Sequence, residues 1–566
     1  MRTPHTPLAL FAAVVAFLLP VVFSPSIQAT FWTPAAAICL VVAGVGFVPL
    51  VRTARRDRAG AAVAALVAVA FVSAVLAGNR TLSFFGLYGW GTGFLFVLAL
   101  AGAWAIGRTI PARGASLVER ALLAAAIVNA VAAVLEMGLD LSAFQLGKVG
   151  GRAIGLLGNS VHLGGFAGAA IVLAGRRFAA RPARWAVVPV LLGTAVQVSG
   201  SRAGLAIIIA GTAYVALSLG RRLLAVVFAT LVIAGVLLGG GLAHIGGGTS
   251  VTSRVQEAAG GGGVRARLLT WEAGVRSLPE HPLVGVGPGL FRDATAPRRT
   301  VDVAHAEDPE KLFVDAHNLI VEYAVTTGVL GLAALVAWLW LAIRSGRGPL
   351  LWFSLLLLVN HLVEPQAVRT TPVLFLALGA AAPDDALRTL ASLQRARAAA
   401  AVSSALALVA AIVLLVGDFH LEQGRLDFVH SHARAALRML PHWAEPALLE
   451  GRIYLFEERV HRRPEDAAAA LDWLRIAAER DRGNPTTWAV LGENLLAQGH
   501  RTEGVAALRQ SLRANPTSVR ALNDLGIEAS IVGDTGEAAR WFRRSLDLDG
   551  NQRSIRRRLD ALEGGP

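Results

Sequence analysis

Five short polar stretches of this 566-residue chain carry the side chains best suited to chemistry, and arginine, histidine and carboxylate dominate them. Arginine presents a planar fork of donors that matches phosphate oxygens, and it stays charged beside a membrane. Histidine accepts a proton near neutral pH. These residue types predict a site that neutralises a phosphate-bearing group next to a proton acceptor. The stretches are GRAIGLLGN at 151–159, SGSRAG at 199–204, RARLLTW at 265–271, DAHN at 315–318 and HLVEP at 361–365.

His317 stands near the start of the segment Leu312 to Gly331, in which a polar loop runs into a long apolar helix. On a helical wheel drawn from His317, Ala324, Gly328 and Gly331 share one stripe. Small residues let a neighbouring membrane helix approach closely. The pattern favours a histidine base above a packed helix seam, although a polar helix cap with a surface histidine fits the same residues.

Each arginine also has a simpler explanation. Arg202, at the end of an apolar run, is placed to reach lipid phosphates. Arg267 fits the solvated face of an amphipathic helix, because Glu272 and Arg276 nearby have the i,i+4 spacing of an ion pair. Convergence of several arginines from different loops is what would distinguish a diphosphate site from these alternatives.

Metal binding is a further alternative for the end of the longest loop. Its ligand-type side chains also suit a solvated loop. A metal-dependent transferase would be expected to have an Asp-x-Asp cluster near the first outer loop, where the sequence has none. Cys39 is the only cysteine, which excludes an internal disulfide and a multi-cysteine metal site. The ligand-type side chains are His305, Glu307, Asp308, Asp315 and His317.

The composition indicates a polytopic membrane protein. The chain is 54% hydrophobic, with a mean hydropathy of +0.55, and its apolar runs predict about thirteen spans of roughly 15–25 residues. The formal net charge of +14 comes from arginines gathered in short loops between these runs. Arginines distributed in this way set the orientation of a chain in the membrane. We therefore attribute the positive charge to membrane orientation and expect no nucleic-acid partner.

The arginine-rich connections lie on one side of the predicted membrane if the N-terminus is inside. This orientation puts the loop 244–318, with His317, on the outer face, and an odd number of spans also puts the C-terminus outside. The inner connections are rich in arginine at 52–58, 108–120, 176–184, 221–222, 344–347 and 388–397, and the short outer ones hold only Arg80, Lys148, Arg152, Arg202 and Arg369.

From about Asp418 onward the sequence becomes amphipathic and helical, and it repeats. Leu491-Gly492 recurs 34 residues later as Leu525-Gly526. A period of that length, with a degenerate unit before it around 443–485, resembles tetratricopeptide repeats; an ordinary helical bundle is the alternative. We therefore predict an all-α fold, with a transmembrane helical bundle over 1–417 and a repeat domain over 418–566.

The ordered series GRxxGxxGN, SxSRxG, RxxxW, HPLVGVGPGLF, DAHNxxxEYxxxTGxxG and HLVEP resembles the O-antigen ligase and Wzy-type polymerase superfamily of bacterial membrane glycosyltransferases, which includes protein O-oligosaccharyltransferases. The resemblance covers about residues 80–380. It implies transfer of a glycan from an undecaprenyl diphosphate carrier to an acceptor hydroxyl at the periplasmic face of the inner membrane, with inversion and without metal, cofactor or nucleotide sugar. The implied acceptors are lipid A core, another glycan or a protein. The hydrophobic spans would form a lateral groove for the polyprenyl chain, and membrane lipids would be further partners.

The resemblance also implies roles for single residues. Arg202 and Arg267 would neutralise the leaving diphosphate, and His317 would take the acceptor proton. Asp315 would orient His317. The remaining substrate-binding candidates are Arg152, Asn159, Arg265, Asn318, His361 and Glu364.

Two elements depart from the family pattern. In SFFGLYGWGTG, Trp90 occupies the position where the family has arginine, and Arg80 is a possible substitute. His361 and Glu364 resemble an HSxxEYP element that is one residue shorter here and lacks its serine and tyrosine. We expect these two residues to act on the acceptor side or in support.

Three other functions stay open at this stage. A Wzy-type polymerase would join repeat units that both remain on lipid carriers. A transporter of lipid-linked glycan would share the many spans, but polar residues at mid-bilayer and internal repeats among its spans would be expected. A non-catalytic scaffold would use the repeat domain to bind envelope proteins.

Overall fold

The computed structural model of the chain describes residues 6–251, 254, 262–384 and 394–564, so part of the predicted outer loop lies outside the described residues. Within these ranges the regular structure is helical, and the one β pairing is an isolated bridge between Val149 and Arg152. This confirms the predicted all-α fold.

The first part of the chain forms a bundle of apolar helices. Most positions in these helices are alanine, leucine, valine or glycine, so most of the side chains that the bundle buries are apolar. In chain order its helices are α1 (Pro7–Val21), α2 (Thr33–Arg56), α3 (Arg58–Leu76), α4 (Arg80–Phe85), α5 (Phe94–Thr109), α6 (Ala112–Gly138), α7 (Ser160–Ala180), α8 (Pro182–Trp185), α9 (Val187–Val198), α10 (Arg202–Ser218), α11 (Arg222–Ile245), α12 (Gly262–Ser277), α13 (Phe291–Thr295), α14 (Val301–Ala306), α15 (Leu319–Ser345), α16 (Gly348–Asn360), α17 (Thr371–Ala380) and α18 (Gln394–Asp427).

Among the described residues, seven helices are long and apolar enough to cross a membrane, namely α2, α3, α6, α7, α11, α15 and α18. Shorter apolar helices of 10–17 residues lie among them: α1, α5, α8 joined to α9, α10, α16 and α17. The chain is therefore a multi-pass membrane protein. The number of about thirteen spans stays a prediction.

Glycine allows α10 to pack tightly against α7. A Cβ on Gly204 would lie 2.6 Å from the carbonyl carbon of Gly164, so the two backbones touch. Ser201 caps α10 by accepting a hydrogen bond from the N–H of Gly204 at 3.0 Å. This packing fixes the start of α10, and with it Arg202, against the neighbouring helix.

Helix α15 is broken in its middle at Gly328. This residue has φ 66° and ψ −170°, a region that only glycine adopts at low cost. The break frees the carbonyls of Val325 and Thr326, which accept hydrogen bonds from the N–H groups of Val286 at 3.1 Å and Gly287 at 3.0 Å. The segment HPLVGVGPG thus packs into the break.

The same segment also accepts hydrogen bonds from the N–H groups that follow the break. The N–H groups of Val329 and Leu330 donate to the carbonyls of Pro282 at 2.9 Å and Leu283 at 3.2 Å. Because the hydrocarbon core offers no water, such pairing is what makes a broken membrane helix tolerable.

The predicted stripe of small residues below His317 is wrong. His317 precedes α15, and the break at Gly328 interrupts the helical register. A Cβ on Gly331 would lie 2.1 Å from the Thr327 hydroxyl oxygen, so Gly331 packs against its own helix. Local periodicity could not reveal a break that is stabilised by a segment about forty residues earlier.

The last part of the chain is a stack of helices. The first helices of two successive pairs begin at Pro485 and Val519, and their second helices begin at Arg501 and Thr535, so both offsets equal the 34-residue period. Another pair precedes them, which confirms the predicted tetratricopeptide-like repeats. The helices are α19 (His430–Met439), α20 (Glu445–His461), α21 (Pro464–Arg480), α22 (Pro485–Ala497), α23 (Arg501–Ala514), α24 (Val519–Ile531), α25 (Thr535–Leu548) and α26 (Arg553–Glu563).

The predicted boundary at 417/418 falls inside α18, which continues without interruption to Asp427. Asp418 lies at this point and accepts hydrogen bonds from the Ala29 N–H at 3.1 Å and the Thr33 hydroxyl at 2.5 Å. The division into two domains at this residue stays a prediction.

The repeats pack directly on the loop that leads to His317. Arg292 in α13 forms a buried ion pair with Asp481 at the end of α21, with Nη1 and Oδ2 3.0 Å apart. His305 at the end of α14 contacts the carbonyl of Asp547 at 2.6 Å. The repeat stack and this loop therefore lie on the same face of the helical bundle.

Candidate active site

One cavity of about 1060 Å³ brings together residues from five separate polar segments. Arg202, Arg267 and His317 all line it, although 115 residues separate the first from the last. Five of its described lining residues are cationic and two are carboxylates, so three positive charges are in excess. The charged and titratable lining residues are Arg152, Arg202, Arg254, Arg267, Glu307, Lys311, His317 and Glu364.

Asp315 holds the ring of His317. The Asp315 Oδ1 atom lies 2.7 Å from Nδ1 of His317 and accepts the backbone N–H of the same residue at 2.8 Å. The Asp315 side chain is only 3% exposed and that of His317 is 18% exposed. With Nδ1 facing the carboxylate, Nε2 is the ring nitrogen left to accept a proton from a molecule in the cavity.

The backbone between these two residues is held from both sides. The Ala316 N–H donates to the Glu322 carboxylate at 2.8 Å, and the Ala316 carbonyl accepts from the Trp271 indole at 2.6 Å. His317 has φ 51°, in the left-handed region that non-glycine residues rarely adopt. Such strain is retained where neighbouring contacts fix the chain, so the ring is preorganised.

The two arginines predicted to contact the leaving group reach the cavity from different helices. Arg202 is the first residue of α10 and is exposed to the cavity, and no ion pair involves it within the described part of the chain. Arg267, in α12, donates to the Val363 carbonyl at 2.9 Å, and its Nη2 lies 3.6 Å from Glu364 Oε2. Burial raises the pKa of the Glu364 carboxyl, against the lowering effect of Arg267.

Arg152 also lines the cavity, as predicted for a supporting residue. Its Nε donates to the Ser199 carbonyl at 2.8 Å, whereas its buried Nη2 has no hydrogen-bond partner within the described residues. Burial, together with the nearby Arg254 and Arg202 cations, lowers its pKa to about 10. An anion bound in the cavity would accept a hydrogen bond from the unpaired Nη2 and would stabilise the charged form of the guanidinium.

Sequence reasoning missed two cations of the cavity. Arg254 donates to the Gly200 carbonyl at 3.4 Å, and Lys311 forms an ion pair with Glu307. Neither belongs to a recognisable motif, and a long-range contact leaves no local pattern.

The structure places five candidate residues outside the cavity lining, and one of them, Asp315, lies behind His317 as described above. The other four lie farther from the chemistry proposed for the cavity or support it through backbone contacts. Asn159 and Asn318 are N-caps of α7 and α15, accepting backbone N–H groups at 2.8 Å and 2.9 Å. Arg265 forms an exposed ion pair with Asp302 at 3.1 Å. His361 is buried, with its Nδ1 3.1 Å from the Pro365 carbonyl. Asn318 and His361 still support the site, since the Asn318 amide and the His361 carbonyl bind α15 to the segment that carries Glu364.

Trp90, which replaces the family's arginine, does line the cavity. Arg80, the suggested substitute, lies instead in a separate pocket with Arg480 and Arg482 of the repeats. At this point the cavity therefore has an aromatic wall rather than a cation.

The side of the cavity below the charged residues is apolar. One stripe of α10 and one face of α16 form it, and both helices begin or end beside the charged segments. The apolar lining residues of these helices are Ala203, Ala206, Ile207, Ala210, Leu356 and Val359. The cavity thus has a cationic end and a hydrocarbon-like end.

Of the possible metal ligands, Asp315 and His317 contact each other. Within the described ranges no group of three or more histidine, cysteine, aspartate or glutamate side chains is arranged to hold a metal ion. His305 contacts a repeat helix, whereas Glu307 pairs with Lys311.

The helices define a multi-pass membrane protein, and a sequence match supports a membrane glycan-transfer or ligase-type function. Residues 185–336 match the family model of the O-antigen ligases, a stretch that includes Arg202, Arg267 and His317. GRAIGLLGN and HLVEP lie outside this match, so their part of the resemblance rests on the motifs alone. No curated protein matches the chain significantly.

The solved structures that are similar to the chain include two matches of low TM-score. The crystal structure of MamA protein aligns at 15% identity over 27% of this chain and 81% of that one, with a TM-score of 0.23. The crystal structure of the APC/C hetero-tetramer Cut9-Hcn1 aligns at 10% identity over 82% and 76% of the respective chains, also with a TM-score of 0.23.

Proposed function

We propose that the protein transfers a glycan from undecaprenyl diphosphate to an acceptor hydroxyl at the periplasmic face of the inner membrane, as an O-antigen ligase or O-oligosaccharyltransferase does. The observation that carries this proposal is the cavity in which an oriented histidine, Arg202 and Arg267 meet with three positive charges in excess. The family match over 185–336 supports a glycosyltransferase-like enzyme.

The excess positive charge fits a lipid diphosphate leaving group. As the bond between the anomeric carbon and the diphosphate oxygen breaks, negative charge grows on that oxygen. Arg202 has no competing carboxylate among the described residues, so it is free to neutralise this charge. Preorganised cations of this kind act mainly on the transition state.

His317 is the proposed base. The acceptor hydroxyl oxygen forms the new bond to the anomeric carbon, and its proton passes to Nε2 while Asp315 stabilises the resulting imidazolium. One displacement of this kind inverts the anomeric carbon. The diphosphate leaves with the bonding electron pair, and the proton later returns to solvent.

The apolar end of the cavity suits the polyprenyl chain. Ala203, Ala206 and Ala210 leave a shallow channel along α10, and Leu356 on α16 lines it too. A carrier bound there would place its diphosphate at the cationic end, beside the start of α10. The acceptor would then enter past Phe313, which lines the cavity and whose ring contacts that of His317.

The decisive experiment compares lipid-linked glycans, surface polysaccharide and glycoproteins in a deletion strain complemented with wild type or His317→Ala. Full-length glycan accumulating on the carrier in the deletion and His317→Ala strains would support a ligase or an oligosaccharyltransferase. Single unpolymerised repeat units would instead identify a Wzy-type polymerase, and donor retained at the cytoplasmic face would identify a transporter. Unchanged glycans would leave only a scaffold role.

A further inference from the structure

The repeat domain forms hydrogen bonds with a tight turn that is part of the cavity wall. This turn is Asp308-Pro309-Glu310-Lys311, closed by a hydrogen bond from the Lys311 N–H to the Asp308 carbonyl at 3.1 Å. Asp308 Oδ1 also accepts the Glu310 N–H at 2.8 Å. Aspartate followed by proline is a favoured start for such a turn, so its shape is set locally.

One side of the turn is bound by the junction between two repeats. The Pro309 carbonyl accepts hydrogen bonds from the Asn515 amide at 3.2 Å and the Thr517 hydroxyl at 3.0 Å. Glu310 Oε1 accepts from the Ser518 hydroxyl at 3.2 Å and from the Arg520 N–H at 2.9 Å.

Glu310 therefore sits at the N-terminus of α24, where Ser518 is the N-cap. A carboxylate at this end of a helix is stabilised by unpaired N–H groups and by the helix dipole. Asn515 ends α23 as Asp481 ends α21, 34 residues earlier, and Asp481 binds Arg292 of the same loop. Equivalent positions of successive repeats thus dock on one loop.

The other side of the turn faces the cavity. Lys311 lines it together with Leu312 and Phe313, the residues that follow directly. Arg299, which is 8% exposed, supports the turn from within the loop, because its guanidinium binds the carbonyls of Asp308 and Lys311. The turn is thus held between the loop and the repeats, with the cationic side chain of Lys311 at the cavity.

We propose that Glu310 is a positioning residue through which the repeat domain holds Lys311 in the donor cavity. This inference rests on the proposed function, in which the cavity binds a lipid diphosphate. Loss of the contact between Glu310 and α24 frees the turn, moves Lys311 away from the diphosphate and weakens donor binding.

The test is kinetic and uses the full chain in detergent or nanodiscs with a lipid-linked glycan donor. We expect Glu310→Ala to raise the KM for the donor about two- to tenfold with a smaller change in kcat. Glu310→Gln keeps an oxygen that can accept from Ser518 and Arg520, so we expect it to resemble wild type.

A double variant separates positioning from general stability. If Glu310 acts through Lys311, Glu310→Ala combined with Lys311→Ala has the same KM as Lys311→Ala alone, to within about twofold. His305→Ala is the matched control, since it removes another contact with the repeats but leaves the turn held. Additive effects of Glu310 and Lys311, or an equal effect of His305→Ala, would overturn the proposal.

Hydrogen exchange supplies a readout that needs no activity. Backbone exchange over 307–314 should be faster in Glu310→Ala than in wild type and in Glu310→Gln. Unchanged exchange there would overturn the positioning role even if wild type is active. If Glu310→Ala exchanges faster but the wild-type protein shows no glycan transfer, Glu310 still positions the turn and it is the proposed function that is rejected.

Discussion

Asp315 Oδ1 and His317 Nδ1 are 2.7 Å apart, in a loop whose intervening peptide is hydrogen-bonded on both sides. The carboxylate thus selects the ring nitrogen that faces the cavity and supports a positive charge on the ring. This arrangement is the structural basis for treating His317 as a base rather than a surface histidine.

Replacing either member of this pair should reduce transfer strongly. We expect His317→Ala to lower kcat about 10²–10⁴-fold, the usual contribution of a positioned base. Asp315→Asn should also lower kcat, because an amide neither fixes the same tautomer nor stabilises the imidazolium. The measurement is glycan transfer by purified protein, with exposed His281→Ala in the same loop as the control. Full activity of His317→Ala would exclude the base role.

Arg202 and Arg267 should both matter, but in different ways. Arg202 has no carboxylate partner among the described residues, so we expect Arg202→Ala to lower kcat about 10²–10³-fold. Arg267→Ala also leaves the buried Glu364 without its partner, so donor binding should weaken as well.

The control for these variants is Arg276→Ala. Arg276 lies in the same helix as Arg267 and forms an exposed i,i+4 ion pair with Glu272 at 2.5 Å, so its loss should cost little. If Arg276→Ala and Arg267→Ala reduce kcat/KM equally, the effect is a property of α12 and not of the cavity.

The repeats should be accessible from the same side of the membrane as the His317 loop. Replacing Cys39, the single cysteine, gives a background in which one introduced cysteine can be labelled. We expect a membrane-impermeant reagent to label Thr502→Cys in intact spheroplasts, and Ala112→Cys only after lysis. Ala112 begins α6, whereas Glu136 near the other end of this helix accepts the N–H of Ile154 at 2.8 Å, two residues from the cavity residue Arg152. Labelling of Ala112→Cys but not Thr502→Cys in intact spheroplasts would reverse the orientation predicted from the arginines.

Sequence patterns predicted what depends on local periodicity or on motif order. The 34-residue repeat was found because each pair of helices buries the same positions. Arg202, Arg267 and His317 were predicted to share one site from the order of their motifs, and all three line the cavity. Arg254 and Lys311 were missed because only tertiary packing brings them to the cavity, and no spacing rule relates them to the motifs.

The same limit explains why some candidate residues lie outside the cavity lining. Asn159 and Asn318 stand before apolar helices, where capping explains an asparagine as well as substrate binding does. Arg265 differs from Arg267 by two positions, which turns it to another face of α12. The broken helix was predicted as continuous because its partner segment, near Leu283, lies far away in sequence.

The stability of the folded chain should fall as the pH rises, because of the buried carboxyl of Glu445. Burial raises the pKa of Glu445, at the start of α20, from 4.5 to about 7, with Asp481 adding to the shift and Arg292 opposing it. The folded state thus favours the neutral carboxyl, so its contribution to stability is complete below about pH 4.5 and lost as the pH rises through about 7.

Thermal unfolding of the full chain between pH 5 and pH 8 checks this sign. Wild type should lose more Tm over this interval than Glu445→Gln, in which the group is neutral throughout. Glu465→Gln, an exposed carboxyl in the next helix, should follow wild type. A steeper loss of Tm in Glu445→Gln than in wild type would contradict the expected direction.

Gly328 should be the least replaceable residue of α15. A Cβ there would lie 2.5 Å from the carbonyl carbon of Leu283, in a backbone conformation that costs other residues about 1–3 kcal/mol. Gly328→Ala should therefore lower Tm and loosen the segment HPLVGVGPG. Gly241→Ala is the control, because Gly241 lies in α11 with no atom within 4 Å of its Cβ position. There alanine should leave Tm unchanged or raise it slightly, since it favours the helix. Equal Tm values for the two variants would mean that the break in α15 is not a required feature of the fold.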